Sequence, residues 1–285
     1  MALPRALAVV GCLLLVVPLS FTQDQPAPST QQLKQVSRVI SSNKERKEIL
    51  DHAQKAYSSL SDQGLNGFRC RVQPDFDAIY KTLKTDEVGQ TQLLPILKKV
   101  KFQIVVGPDG GAIVSHQSDE APPTQAVAAR LNQTIGGIDQ VINGFMQTWT
   151  NMAFSSPFAG VDTGGEIEDS GKNYRLTAKS ESANVVMFLR RDFAIEKFEV
   201  EMSGQNVTLR PSWDATPRGF RLAGYEGTYT AAGNTTQLSI KFAYKDVEGF
   251  QLLNSVDVTM SLPTGTVAGT VDIPLTLSEY QITKR

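Results

Sequence analysis

NYRLTAK (173–179), NVVMFLRR (184–191), IEKFEVEM (195–202), NVTLRPSW (206–213), GFRLAGYEGTYT (219–230), QLSIKFAYK (237–245), LLNSVDVTMSL (252–262) and GTVDIPLTLSEYQI (269–282) follow one another along the last two-fifths of the chain. Apolar residues recur in them at every second position. That is the period of a strand with one face buried and one face wet. The joins are Ser-Gly, Ala-Gly-Asn, Glu-Gly and Pro-Thr-Gly turns. Strands joined by such short turns pair with their sequence neighbours, antiparallel, as a meander. No helical pattern lies between them to suggest a parallel α/β sheet.

The alternation extends upstream. In FQIVVGPDGGAIVSH (102–116) two apolar runs flank Pro108-Asp109-Gly110-Gly111, the signature of a β-hairpin. A phosphate-cradling loop fits poorly, because no helix start, Lys or Ser follows those glycines. In FRCRVQ (68–73), Phe68, Cys70 and Val72 share one face and Arg69, Arg71 and Gln73 the other, which predicts a first strand.

Helical spacing occupies the rest. Leu33, Val36, Val39, Ile40, Ile49, Leu50, Ala53, Tyr57 and Leu60 fall largely three and four apart, and the charged SSNKERKE in their middle breaks or exposes that helix. Residues 75–100 form a helical insert, DFDAIYKTLK followed by QLLPILKKV. A longer insert spans 122–154. Its stripe is Val127, Leu131, Ile135, Ile138, Ile142, Phe145, Met146, Trp149 and Met152, with Gly136-Gly137 expected to bend it. A helix this apolar needs a partner surface. It is either plain core or a cover over an apolar cavity, where Met and aromatic side chains suit varied ligands.

The N-terminus, MALPRALAVVGCLLLVVPLSFTQDQPAP, reads as a signal peptide over 1–22. Arg5 is its only charge, an apolar core follows, and Ser20 and Thr22 mark a cut near Thr22. Val9-Val10-Gly11-Cys12 also resembles a lipobox, which leaves lipidation at Cys12 open. Residues 23–31 are a polar, Pro-containing linker, and 32–285 read as a single domain. The expectation is an exported protein, periplasmic or extracellular. Of 28 basic residues one, Arg5, precedes the cut, so 27 remain against 29 acidic, a net of −2. That balance carries no excess for nucleic acid. Beyond the leader Cys70 is the only cysteine, so no intrachain disulfide forms.

Chemistry is sparse. His52 and His116 are the only histidines, and neither belongs to an HExxH, a Cys/His cluster or a carboxylate-rich loop. No GxSxG elbow occurs. Glu166 with Glu168, and Glu199 with Glu201, share strand faces and read as solvent-facing charges. The residues therefore predict no catalytic group, no metal and no cofactor. Cys70, on the apolar face of its strand, reads as a small buried hydrophobe.

An exported chain with an N-terminal helix, a strand at FRCRVQ, a long helical insert and a meander ending in SLPTGTVAGTVDIPLTLSEYQI (261–282) resembles the LolA-like half-barrel family of periplasmic lipoprotein carriers. The resemblance lies in the order of elements over most of 31–285. It implies an α+β fold: a strongly curved antiparallel sheet, an incomplete β-barrel, with helices over its concave face and acyl chains bound between. It implies that a basic residue on an early strand latches the cover, a role Arg69 or Arg71 would fill. The reading that follows is a non-enzymatic binder or carrier of lipid-like or acylated ligands. Its partners would be lipid or lipoprotein acyl chains and envelope proteins, not nucleic acid. Phe145, Met146, Trp149, Met187, Leu189, Phe198, Phe242 and Tyr244 are the expected lining. The alternative is a structural or interaction domain of the cell envelope with no ligand cavity.

Overall fold

A computed structural model of the chain describes residues 37–83, 86–159, 161, 165–179, 183–202, 204–231, 234–262 and 269–285. The predicted leader and linker and the start of the first predicted helix lie outside the described residues. The fold is α+β, built on one antiparallel sheet of thirteen strands. In chain order these are β1 (Arg38–Val39), β2 (Leu65–Pro74), β3 (Lys101–Val106), β4 (Ala112–Gln117), β5 (Glu166–Asp169), β6 (Asn173–Lys179), β7 (Asn184–Arg190), β8 (Ile195–Met202), β9 (Gln205–Thr216), β10 (Gly219–Ala231), β11 (Asn234–Val247), β12 (Phe250–Leu262) and β13 (Gly269–Lys284). From β5 to β13 each strand pairs with its successor. β13 then pairs with β2, followed by β3 and β4, while β1 closes the other flank beside β5. The sheet does not close into a barrel, so β1 and β4 are its edges.

One row of paired residues runs straight across it. Ile167, Leu176, Met187, Phe198, Leu209, Gly227, Leu238, Met260 and Val271 face one another strand by strand from β5 to β13. Such cross-strand contacts are the unit of sheet stabilisation. Gly227 interrupts the row because a Cβ there would sit 3.1 Å from Leu209 Cδ2.

The helices are α1 (Asn43–Lys55), α2 (Phe76–Leu83), α3 (Leu94–Leu97) and α4 (Gln125–Trp149). π-helical turns precede α3 (Gly89–Leu93) and extend α4 (Thr150–Phe154). The first helix is shorter than the spacing over 33–60 predicts. Ser42 caps it, its side chain accepting from Glu45 N, and Val39 before it joins a strand. The charged stretch is thus the helix start itself. After α1 the chain runs along one end of the sheet. Tyr57 Oη donates to Phe193 O at 2.8 Å and accepts from Ile195 N at 2.7 Å, and Leu60 N donates to Ala153 O at 3.1 Å.

Bulges gather toward that same end. In β8, β10 and β12 the extra residues are Glu196, Ala223 and Asn254. In each case the carbonyl just before the extra residue accepts from an aromatic side chain of the following strand. Trp213 Nε1 donates to Ile195 O at 2.8 Å, Tyr244 Oη to Leu222 O, and Tyr280 Oη to Leu253 O at 2.7 Å. A bulge takes backbone groups off the ladder, and an unpaired buried carbonyl is costly. The aromatic caps meet that cost. A fourth bulge, in β13, holds Glu279 at φ 53°. The added residue turns Glu279 outward to Arg71 and Tyr280 inward to Phe68, ring centroids 5.5 Å apart.

The long helix is continuous over 125–149, so Gly136-Gly137 does not break it. Added Cβ atoms at those positions meet nothing within 4 Å. Gly224 is the opposite case, since a Cβ there would fall 2.2 Å from Ile240 O. Gly137→Ala should therefore raise stability by about 0.5–1 kcal/mol, and Gly224→Ala should lower it. Chemical denaturation of both variants beside the parent checks this. The same sign for both would contradict the packing.

Candidate functional site

The apolar stripe of α4 rests on the buried face of the sheet. Thr124 caps the helix, its Oγ1 accepting from Val127 N at 3.3 Å. The stripe then buries Val127, Leu131, Ile135, Ile138, Ile142, Phe145, Met146 and Trp149. At the C-terminal end Phe145 meets Phe242 of β11 (centroids 6.4 Å apart) and Trp149 meets Phe68 of β2 edge-on (6.0 Å). Trp149 Nε1 donates to Tyr244 Oη at 3.1 Å, so the helix is bonded to the group that caps the β10 bulge. Tyr225, on β10, has its ring 6.1 Å from that of Phe242. Its hydroxyl is buried near Thr148 of α4 without a hydrogen bond of ordinary geometry. Burial drives the Tyr225 and Tyr244 phenols well above their ordinary range, so both stay protonated.

The structure thus brings Phe145, Trp149, Phe242 and Tyr244 together, with Met146 buried alongside. Met187 and Phe198 form a facing pair on β7 and β8, four and three strands from β11, and Leu189 lies further along β7. All but Tyr244 are buried in one continuous hydrophobic cluster, and Tyr244 packs against it half-buried.

Polar ties among the described residues also hold α4. Arg130 forms a two-pronged pair with Asp86, at 2.9 and 3.0 Å. Asp139 pairs with His116 of edge strand β4 at 2.7 Å. Trp149 provides another through Tyr244. Arg69 and Arg71 are not among these ties. They alternate with Phe68, Cys70 and Val72, so they lie on the face of β2 turned away from the helix, and Arg71 pairs with Glu279 at 3.1 Å. The Arg130 and His116 ties were missed in the sequence, because residues 44 and 23 positions apart carry no local signal of their meeting. His52, by contrast, stays exposed, bonded to Glu48 O and stacked on Phe193.

Cys70 sits on the inner face beside Tyr280. Burial pushes its thiol up to about 12, with Tyr280 and Lys245 only partly offsetting this. Among the described residues no group of three His, Cys, Asp or Glu side chains is placed to hold a metal. Comparison of the chain with protein-family models, with curated proteins and with solved structures finds no match.

A thiol titrating near 12 is a poor nucleophile at pH 8, where its thiolate fraction is about one in ten thousand. An ordinary free cysteine is there about a quarter ionised. Cys70 in the native protein should react with a thiol reagent at least about a thousandfold more slowly than in the denatured chain. Equal rates would overturn the burial assigned to it.

Proposed function

We propose that this protein is an exported, non-enzymatic binder or carrier of lipid-like or acylated ligands, with α4 as the cover of an apolar site on the inner face of the sheet. The observation that carries the reading is the character of the cover. One long helix with an apolar stripe crosses the inner face, fastened by a few discrete polar ties and ending in aromatic and methionine contacts. Methionine and aromatic surfaces repack around varied apolar partners.

A strongly curved sheet, as in the half-barrel family, suits this reading. Thirteen strands exceed what an open twisted sheet holds without curling, about ten. Bulges bend the strands that carry them and increase their twist, and here they recur in β8, β10, β12 and β13. The ties of α4 agree with this. Asp139 and Trp149 are ten residues apart, about 15 Å along a helix, yet they reach β4 and β11, five strand spacings or about 24 Å apart in a flat sheet. A helix lying as a chord across a concave face reaches both more readily.

Binding would come from burial of an acyl chain at about 0.8 kcal/mol per methylene. About ten methylenes would then contribute on the order of 8 kcal/mol, enough to offset loosening one end of the cover. A second reading, a structural or interaction domain without a ligand cavity, draws on the complete burial of Trp149 and Met146 (each 0 % exposed) and of Phe145 (1 %).

Trp149 separates the two. A purely structural Trp→Ala change in a core costs about 3–5 kcal/mol. In a cover, Trp149→Ala should weaken binding of a fluorescent fatty-acid probe by about tenfold or more per folded molecule, and Trp149→Phe should weaken it less. A large fall in thermal stability with unchanged probe affinity would make α4 a core helix. A parent protein that binds no apolar probe would remove the reading altogether.

A further inference from the structure

The sheet is split at one place. β12 and β13 are paired from Ser255↔Thr276 to Leu262↔Gly269 and no further. Beyond that point the first residues of β12, 250–254, stay with β11, and the end of β13, 277–284, stays with β2. Side chains bridge the resulting fork. Tyr280 Oη reaches across to Leu253 O, and Lys245 of β11 reaches across to Leu277 O at 2.7 Å. The Lys245 ammonium lies 5.1 Å from the Tyr280 ring centre. Lys284 and Glu248 pair at 2.9 Å farther out. Behind Tyr280 lie Cys70 and Phe68, and Phe68 touches Trp149. The fork therefore leads to the C-terminal end of the cover.

Lys245 is half-buried, yet among the described residues no carboxylate lies within 4 Å of it. The acidic side chains near it are committed elsewhere. Asp246 accepts from Gly249 N and from Gln251, Glu248 pairs with Lys284, and Glu279 pairs with Arg71. An ammonium has three protons to donate, and this one has one carbonyl and one ring face. A partly desolvated cation without a counter-ion costs free energy that an anion would recover.

We propose that the fork between β12 and β13 is the mouth of the apolar site and that Lys245 is its head-group subsite. The ligand class is a single-chain amphiphile with an anionic head, a carboxylate or a phosphate monoester. The head pairs with Lys245, and the chain passes Tyr280 and Cys70 toward Phe68 and Trp149. This rests on the apolar-ligand reading above and adds to it the polarity and position of the head.

The test compares three ligands of one chain length: a fatty acid, the alkyl phosphate and the alcohol. Each is titrated into the parent protein, Lys245→Met and Lys245→Arg. The parent should bind one or both anions about tenfold or more tighter than the alcohol. Lys245→Met should bind all three alike with the alcohol's affinity unchanged, and Lys245→Arg should keep the preference. Acid against phosphate identifies the head chemistry. Equal binding of anions and alcohol by the parent would overturn the subsite and leave the apolar reading standing. So would an anion preference that survives in Lys245→Met. Should Lys245→Met fail to fold, Lys245→Gln takes its place and is judged by the same anion-to-alcohol ratio. Absence of binding by all three ligands would overturn both.

Discussion

The carbonyl groups freed at three bulges, Ile195 O, Leu222 O and Leu253 O, set what the rest of the fold can be. Each of these bulges takes backbone groups off the ladder. Here one solution recurs on alternate strands. An aromatic side chain from the next strand, Trp213, Tyr244 or Tyr280, donates to the freed carbonyl and brings a ring to the face that needs filling. A capped bulge thus replaces a hydrogen bond and adds apolar bulk at once. The aromatic residues that the bulges require are the ones on which α1's exit, α4 and the fork are assembled. Tyr57 packs edge-on against Trp213, Trp149 bonds Tyr244, and Lys245 lies over Tyr280.

The strands were readable because their signal is local. Period-two alternation and turn residues are contained within ten or so positions, and they locate β6 to β13 and the β3–β4 hairpin within a few residues. Strand order was not readable. Nothing in TLSEYQI (276–282) tells that the end of β13 pairs with FRCRVQ (68–73), far earlier in the chain, since a ladder needs only backbone groups. The bulges were hidden for a related reason. In DIPLTLSEYQI the alternation runs through Leu277, and only the outward turn of Glu279 shifts Tyr280 to the inner face. A strict alternation reading puts Tyr280 outside. The first helix failed differently. Val39 and Ile40 fit helical spacing, but Ser42 offers a cap, and a cap fixes where a helix starts more firmly than apolar spacing does.

The candidate site was legible in part. Phe145, Met146 and Trp149 declare an apolar stripe, and any long sheet declares a face to be covered. Their meeting with Phe242 and Tyr244 follows from both. Met187, Leu189 and Phe198 share that face for the same reason, but strand order places them at a distance from the C-terminal end of α4. Alternation in FRCRVQ assigns Arg69 and Arg71 to the side opposite Phe68, and there Arg71 pairs with Glu279.

The seam between α4 and the sheet is unequal in what it would cost to open. Tyr244 both accepts from Trp149 and donates to Leu222 O. If the helix end moves, Tyr244 keeps its cap and the bulge stays satisfied. Only the indole N–H changes partner, and a net hydrogen bond of this kind is worth about 0.5–1.5 kcal/mol. The apolar contacts of Phe145, Met146 and Trp149 are worth more, at roughly 1.5–3 kcal/mol for each fully buried side chain of this class. Movement of this end of α4 would therefore be resisted mainly by apolar burial, the term that the proposed apolar ligand would replace in kind.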